Sequence, residues 1–242
     1  MISLPPNRRI ALSFSGGKDS AACLKLLRPQ LRNITVVWCN PGNPFPAMRA
    51  YMDRIAASVP HFVEVTGDLL TFQERYGYAV DTLPIWSTSL GQEIAATSTP
   101  HTFTSPFHCC HENMWVPLHN YLRKEGFDCI IRGQKKVDAK QNRQAQVEGA
   151  REGVEFIYPL DDWTDGEVLA YLGPEDMPPF YREGARSSQD CRTCLAYEQE
   201  NPQRLRFLKR VDPAAYAELA PVHLTYTTLL RSALASAEEA NE

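Results

Sequence analysis

Ser13-Phe14-Ser15-Gly16-Gly17-Lys18-Asp19-Ser20 lies between a short apolar run, Ile10 to Leu12, and a run of helical character, Ala21 to Leu27. The order reads as strand, glycine turn and helix start. Backbone N–H groups of such a turn and the positive end of the helix dipole converge on one point, where an anion can sit. Gly16 and Gly17 lack a Cβ, so the backbone can take φ values closed to other residues and approach a ligand closely. Ser15 and Ser20 add hydroxyl donors, and Lys18 adds a mobile positive charge. Asp19 is unusual in a pure anion cradle: it either accompanies Mg²⁺ beside phosphate or fixes the loop by bonding its own backbone. The G-x-x-x-x-G-K-[ST] spacing of a Walker loop is absent.

Outward from this stretch, Ile34 to Cys39 is a continuous β-branched and apolar run, as expected of a parallel strand covered on both faces. A turn at Asn40 to Pro44, a helix over Met48 to Ser58 and a strand over His61 to Val65 complete a β-α-β-α-β order. That order predicts an α/β fold: a doubly wound, Rossmann-like parallel sheet with helices on both faces and ligands at the carboxyl ends of the strands. A helix over Trp115 to Glu125 leads to a buried strand, Cys129 to Ile131, and then to Arg132-Gly133-Gln134-Lys135-Lys136, placed to meet phosphate. Ile157 to Leu160 reads as a last or edge strand, because Pro159 lacks a ladder donor. Thr164 and Glu167 form a capping box for a helix to Leu172. Residues 173–190 are expected as loop, Pro202 to Arg210 as a short basic helix, and Asp81 to Phe107 as an irregular flap. The tail from Thr227 reads as helical or frayed.

At 242 residues the chain is long enough for one substantial core, and 1–242 is expected as one domain with 173–242 as a helical and loop extension. It has no apolar signal core and no membrane-length apolar run, so a soluble, cytoplasmic protein without a membrane partner is expected. The formal charge of −4 argues against a uniformly nucleic-acid-coating surface but permits a local basic patch. Homo-oligomer formation is left open.

Seven cysteines, an odd number in a chain of this kind, point to metal or reactive thiols rather than a disulfide framework. Cys109 and Cys110 are adjacent, and Cys191 and Cys194 form a C-x-x-C pair; four thiolates in two groups can surround one metal centre if the fold joins them. Zn²⁺ prefers C-x₂₋₄-C in both halves, so the vicinal pair leans towards an iron–sulfur cluster, with zinc and unrelated buried thiols as the alternatives. His108 and His111 flank the pair; either can ligate metal, but supporting roles are expected because four cysteines already complete a cluster. Cys23 and Cys129 fall on apolar faces and read as core. Cys39, ending the second strand, is a candidate persulfide carrier beside the nucleotide.

The loop sequence SFSGGKDS resembles the pyrophosphate-binding loop (PP-loop) of the N-type ATP pyrophosphatases, which include PAPS and APS reductases. In that family the loop holds the β- and γ-phosphates of ATP while an acceptor oxygen attacks the α-phosphorus. The resemblance implies nucleotide binding by Ser13, Ser15, Gly16, Gly17, Lys18, Asp19, Ser20, Cys39, Arg132, Gly133 and Lys136, with Lys18, Asp19, Lys135 and Arg143 catalytic. Ile131 to Arg143 and Tyr158-Pro159-Leu160-Asp161-Asp162-Trp163-Thr164-x-x-Glu167-Val168 look like two further segments of PAPS and APS reductases. The four cysteines resemble the set by which APS reductases hold a [4Fe–4S] cluster beside the nucleotide.

Two departures bear on function. Those reductases use a cysteine in a carboxyl-terminal E-C-G-x-H segment, and the sequence carries no cysteine after Cys194. They also usually carry a degenerate loop, whereas S-G-G-K-D-S is suited to ATP itself. An ATP-splitting member with such a cluster is similar to the ATP pyrophosphatases of DNA phosphorothioation systems (the Dnd and Ssp types), and the chain is expected to be of that kind. That likeness implies ATP, Mg²⁺, a [4Fe–4S] cluster, a cysteine desulfurase as sulfur donor and DNA as acceptor, with Arg204, Arg206, Lys209 and Arg210 available to a DNA backbone. The alternatives are a sulfonucleotide (APS/PAPS) reductase using an external thiol, and a tRNA thiolation enzyme.

Overall fold

The computed structural model describes residues 2–141, 150–151, 153–185, 187, 189–198 and 202–239. In chain order its strands are β1 (Ile10–Ser13), β2 (Ile34–Asn40), β3 (Phe62–Thr66), β4 (Tyr78–Ala79), β5 (Phe103–Thr104), β6 (Cys129–Ile131), β7 (Ala150–Arg151) and β8 (Val154–Ile157). The α-helices are α1 (Lys18–Leu26), α2 (Pro46–Ser58), α3 (Leu69–Tyr76), α4 (Ser89–Ala95), α5 (Pro106–Cys110), α6 (Val116–Lys124), α7 (Lys136–Gln141), α8 (Asp165–Asp176), α9 (Pro179–Arg182), α10 (Arg204–Val211) and α11 (Pro213–Glu239).

The chain packs as two compact units. The first comprises Met1–Asn40, Pro44–Gly67 and Val116–Asp190 and carries a six-stranded sheet of order β3-β2-β1-β6-β8-β7. Five strands are parallel and β7 pairs antiparallel with β8. Ala11, Leu12, Val36 and Ile131 are fully buried, as the unbroken apolar runs require of strands covered on both faces. The sheet is Rossmann-like, with helices on both faces, as expected. Its order reverses at β1, which has β2 on one side and β6 on the other, so the loops leaving β1 and β6 flank the switch point where such sheets bind ligands.

The second unit comprises Pro41–Asn43, Asp68–Trp115 and Cys191–Glu242. It holds a two-stranded parallel sheet, β4-β5, and a helical pair, α10 and α11. A cluster of Leu69, Phe72, Ala79, Cys109 and Ala196 forms part of its core. No helix among the described residues is long and apolar enough to cross a membrane.

Three local expectations are corrected. The last parallel strand is Val154–Ile157, not Ile157 to Leu160: Asp161 N–H bonds the Tyr158 carbonyl and Trp163 N–H that of Leu160, so the chain turns there. Leu160 is fully buried, so its apolarity reports packing rather than a strand. Residues 173–190 are partly helical, because α8 continues through a kink at Gly173 (φ 63°) and α9 begins with Pro179 at a position that needs no N–H donor. Asp81 to Phe107 contains α4 and β5, with Thr88 capping α4 through the Gly91 amide at 2.9 Å. The tail is helical to Glu239, one of its two expected readings, in a helix that starts at Pro213. The capping box is as expected: Glu167 N–H bonds Thr164 Oγ1 at 3.2 Å, and Thr164 N–H bonds Glu167 Oε2 at 2.7 Å.

Candidate nucleotide and thiol sites

The loop after β1 is held by its own hydroxyls. Gly16 N–H donates to Ser20 Oγ (3.1 Å), Gly17 N–H to Ser15 Oγ (3.2 Å), and Ser20 Oγ–H to the Gly17 carbonyl (3.0 Å). Gly16 has φ +80°, the left-handed region, and a Cβ there would lie 2.5 Å from the Met52 methyl, so glycine serves both conformation and space. Gly17 is the N-cap of α1 and offers no side chain to cover the first-turn amides. The helix start is thus directed at the loop. Ser13 ends β1, half-buried.

Gly133, just beyond β6, brings the second basic segment against this helix start. A Cβ on Gly133 would stand 2.7 Å from the Asp19 carbonyl carbon and 2.8 Å from the Ser20 nitrogen, both backbone atoms. Only glycine permits that approach. It carries Lys135, fully buried, to Asp19: Lys135 Nζ lies 2.7 Å from Asp19 Oδ1, 3.2 Å from Asp138 Oδ2 and 3.2 Å from Asp165 Oδ1. Lys18 Nζ lies 2.8 Å from Asp19 Oδ2 and 2.9 Å from Asp165 Oδ1. Burial lowers both lysines, but the Asp19 carboxylate, with Asp165 at Lys18 and Asp138 at Lys135, outweighs it and holds both above their ordinary values. Burial raises Asp165, and the two ammonium groups outweigh that to hold it below the usual carboxylate range.

Not every basic residue of the segment joins this cluster. Lys136 is exposed and tied to Asp161 and Asp162. Arg132 is half-buried, bonds His119 Nε2 at 3.1 Å and lies over the Phe156 ring. Burial lowers its guanidinium. Arg143 lies outside the described residues. Cys39 ends β2, buried, and burial followed by the Asp190 charge pushes its thiol up to about 12. A thiol so disfavoured as thiolate is a poor sulfur carrier at neutral pH.

Sequence reasoning missed three partners of the lysines and the loop. Asp165 and Asp138 stand at or near helix starts, where an acidic residue is ordinarily read as a favourable dipole partner. Tyr181, on α9, reaches the Lys18 backbone amide; burial pushes its phenol up while the bond to that amide pulls the other way. No local signal in residues 173–190 announces that contact.

All four candidate metal thiols lie in the second unit. Cys109 belongs to its apolar cluster, with Cys191 and Cys194 packed against it, and Cys110 Sγ is 3.5 Å from Tyr197 Oη. Burial first, then Cys110 and Cys194, push the Cys109 thiol up. The C-x-x-C loop is held residue by residue. Arg204 donates to the carbonyls of Cys191 and Cys194, at 2.6 and 2.5 Å, and of Arg192 at 3.4 Å. Arg192 binds Asp212 by two nitrogens (2.8 and 3.1 Å), and buried Thr193 meets Gln73 and Asn43. Arg204 is therefore committed to this loop rather than free for DNA. His108 packs edge-on against Phe72 and Tyr76, and His111 bonds Glu112 at the surface. Among the described residues no group of three or more His, Cys, Asp or Glu side chains is disposed to hold a metal ion. Three of the thiols, Cys109, Cys191 and Cys194, share the apolar cluster and Cys110 adjoins it in sequence; four soft donors of this kind suit an iron–sulfur or zinc centre in chemistry.

Comparison with known proteins bears on this arrangement. The chain is 25% identical over 190 residues to a phosphoadenosine 5'-phosphosulfate reductase of Alkalilimnicola ehrlichii, covering 76% of this chain and 70% of that one. It is 27% identical over 138 residues to an adenosine 5'-phosphosulfate reductase of Burkholderia cepacia, covering 54% of each. A crystal structure of a PAPS reductase from Candida auris, as its phosphate complex, superposes with a TM-score of 0.51 at 15% identity, covering 78% of this chain and 82% of that one. That likeness is one of fold. A family profile described as the phosphoadenosine phosphosulfate reductase domain matches residues 9–194, from the strand before the loop to the second cysteine of the C-x-x-C pair, and the chain belongs to that family.

Proposed function

We propose that the Ser13–Ser20 loop binds the phosphates of ATP and that the enzyme splits it between the α- and β-phosphorus, adenylylating an acceptor oxygen so that sulfur can replace it. One observation carries this reading: Lys18 and Lys135 converge beside the start of α1, where both meet the carboxylates of Asp19 and Asp165. With a cation on those carboxylates, two ammonium groups at a helix N-terminus would be released to match a pyrophosphate, which has more charge to neutralise than a lone α-phosphate. The acceptor oxygen forms a bond to the α-phosphorus, the bond to the bridging oxygen breaks, and pyrophosphate leaves with the electron pair. Lys18 and Lys135 offset charge on the departing group. Asp19 and Asp165 are the carboxylates that would hold Mg²⁺, which supplies charge neutralisation on the phosphates when bound.

In the sulfur step a persulfide from a cysteine desulfurase attacks the activated centre, AMP departs with the original oxygen, and a second thiol releases the sulfur by forming a disulfide. DNA is the proposed acceptor. Cys109, Cys110, Cys191 and Cys194 are the residues that would hold a [4Fe–4S] cluster, whose bound iron supplies Lewis-acid or electron-transfer chemistry.

A second reading is favoured more directly by the relatives, which are named PAPS and APS reductases. In it a sulfonucleotide occupies the loop, an external dithiol is oxidised to a disulfide, and sulfite and the nucleotide leave. One experiment separates the two. Anaerobically prepared protein is incubated with ATP, Mg²⁺, a DNA duplex and desulfurase, or with APS or PAPS and a dithiol, and pyrophosphate and sulfite are measured. Pyrophosphate release supports ATP splitting; sulfite without pyrophosphate overturns it for the reductase.

A further inference from the structure

The first unit contains a cavity, of about 860 Å³, set against the carboxyl-terminal half of α1 and walled by α2 and the end of α8. Its volume is within the range of small-molecule sites. Lys25 on its wall stands seven residues along α1 from Lys18, about 10 Å along the helix axis, so its charges are not those of the loop.

Five cations line the cavity against two carboxylates, in a chain whose formal charge is −4. Their partners differ. Lys25 donates to the carbonyls of Tyr171 and Leu172, freed by the Gly173 kink, at 2.6 and 3.0 Å, and Arg182 donates to those of Met177 (3.0 Å) and Glu175 (2.8 Å). These two serve the fold. Arg28 shares Asp176 with Lys25. Arg32 has no counter-ion among the described residues, and Arg54 bonds the Ala50 carbonyl at 3.2 Å and lies over the Tyr51 ring, with no carboxylate. Leu24, Leu31, Ile55 and Met177 add apolar surface to the lining.

Apolar side chains sharing a cavity with guanidinium groups that lack a carboxylate partner make a lining suited to an amphipathic anion: arginine forks match phosphate, and the apolar side chains take an apolar or aromatic body. We propose that this cavity binds a small phosphate ester of about nucleotide size, with Arg32 and Arg54 on its phosphate. The site is separate from the loop and does not rest on the reaction assigned there.

The test is calorimetric titration of the full-length protein with AMP, run on the unaltered chain, Lys18→Ala, and the double variant Arg32→Ala with Arg54→Ala. Both arginines are exposed, so the double variant is expected to keep the native melting curve. AMP should bind Lys18→Ala in a one-to-one class, and the double variant should weaken that class by about tenfold or more, the loss expected for charge-assisted bonds to phosphate. Adenosine should not bind, and KCl should weaken AMP binding. AMP binding that vanishes in Lys18→Ala, survives the double variant unchanged, is matched by adenosine or ignores salt overturns the proposal. Loss of ATP binding in Lys18→Ala reports on the loop alone, so the two readings fail separately.

Discussion

Lys135 Nζ stands 2.7 Å from Asp19 Oδ1, a pairing across 116 residues that joins the loop after β1 to the segment after β6. Because Lys135 is fully buried, its charge depends on that carboxylate and on Asp138 and Asp165. Lys135→Met is expected to lower nucleotide-dependent turnover by about 10²-fold, the scale of removing one donor aimed at developing charge. Lys135→Arg should not restore it, since a buried slot shaped to an ammonium has no room for a guanidinium fork. Pyrophosphate and sulfite assays on both variants check this; full activity in Lys135→Met would remove Lys135 from the site.

Gly133→Ala tests the close approach. Its methyl would meet Asp19 and Ser20 backbone atoms, which cannot rotate away, and a loss of about 1–3 kcal/mol is expected, as for overpacking. Gly166→Ala is the control: its nearest atom is Thr164 Oγ1 at 3.9 Å, within a helix, and a gain of about 0.5–1 kcal/mol is expected. Urea melts of the two variants should move in opposite directions.

Cys39 should be slow to alkylate. Its thiol is pushed up to about 12 by burial and then Asp190, so the folded state favours the protonated form. A group raised in this way contributes stability that is present below its unfolded value, 9.0, and is lost as pH rises towards the folded one. Iodoacetamide labelling of the native protein should leave Cys39 behind the half-exposed Cys110, Cys191 and Cys194, its rate still climbing above pH 9. Early labelling of Cys39, read by peptide mass, would contradict this and reopen its role as a persulfide carrier.

Arg204→Ala releases three carbonyls of the C-x-x-C loop at once. A loss of about 1–3 kcal/mol is expected from leaving such acceptors unmade. Anaerobic reconstitution should give less iron and acid-labile sulfide per chain than the unaltered protein. Arg204→Lys, with one ammonium in place of a fork, should recover part of the stability but not the iron content. Equal iron in all three proteins would show that the clamp does not position the thiols.

Much of this was legible in the residues. The loop, the first three strands with their intervening helices, and the Thr164–Glu167 box are written in short-range signals: glycine pairs, apolar runs and a cap spacing of three. The strand misplaced at Leu160 shows the limit of such signals, because a buried leucine in a turn and one in a strand present the same apolarity. Helix α9 was hidden by its proline content, although proline at a helix start is compatible with the missing donor. Asp165 was legible as part of a capping segment and illegible as a partner of two lysines.

Sequence alone determined that a glycine turn follows a buried strand, that parallel strands alternate with helices, and that thiols occur as two close pairs. These follow from φ preferences, side-chain period and spacing, which act over a few residues. Only the tertiary structure decided that Lys135 rather than Lys136 turns inward to Asp19, that Cys109 shares an apolar cluster with Cys191 and Cys194, and that Arg204 serves a loop. Those choices are made by packing between segments far apart in the chain, where burial compels each charge and each carbonyl to find a partner.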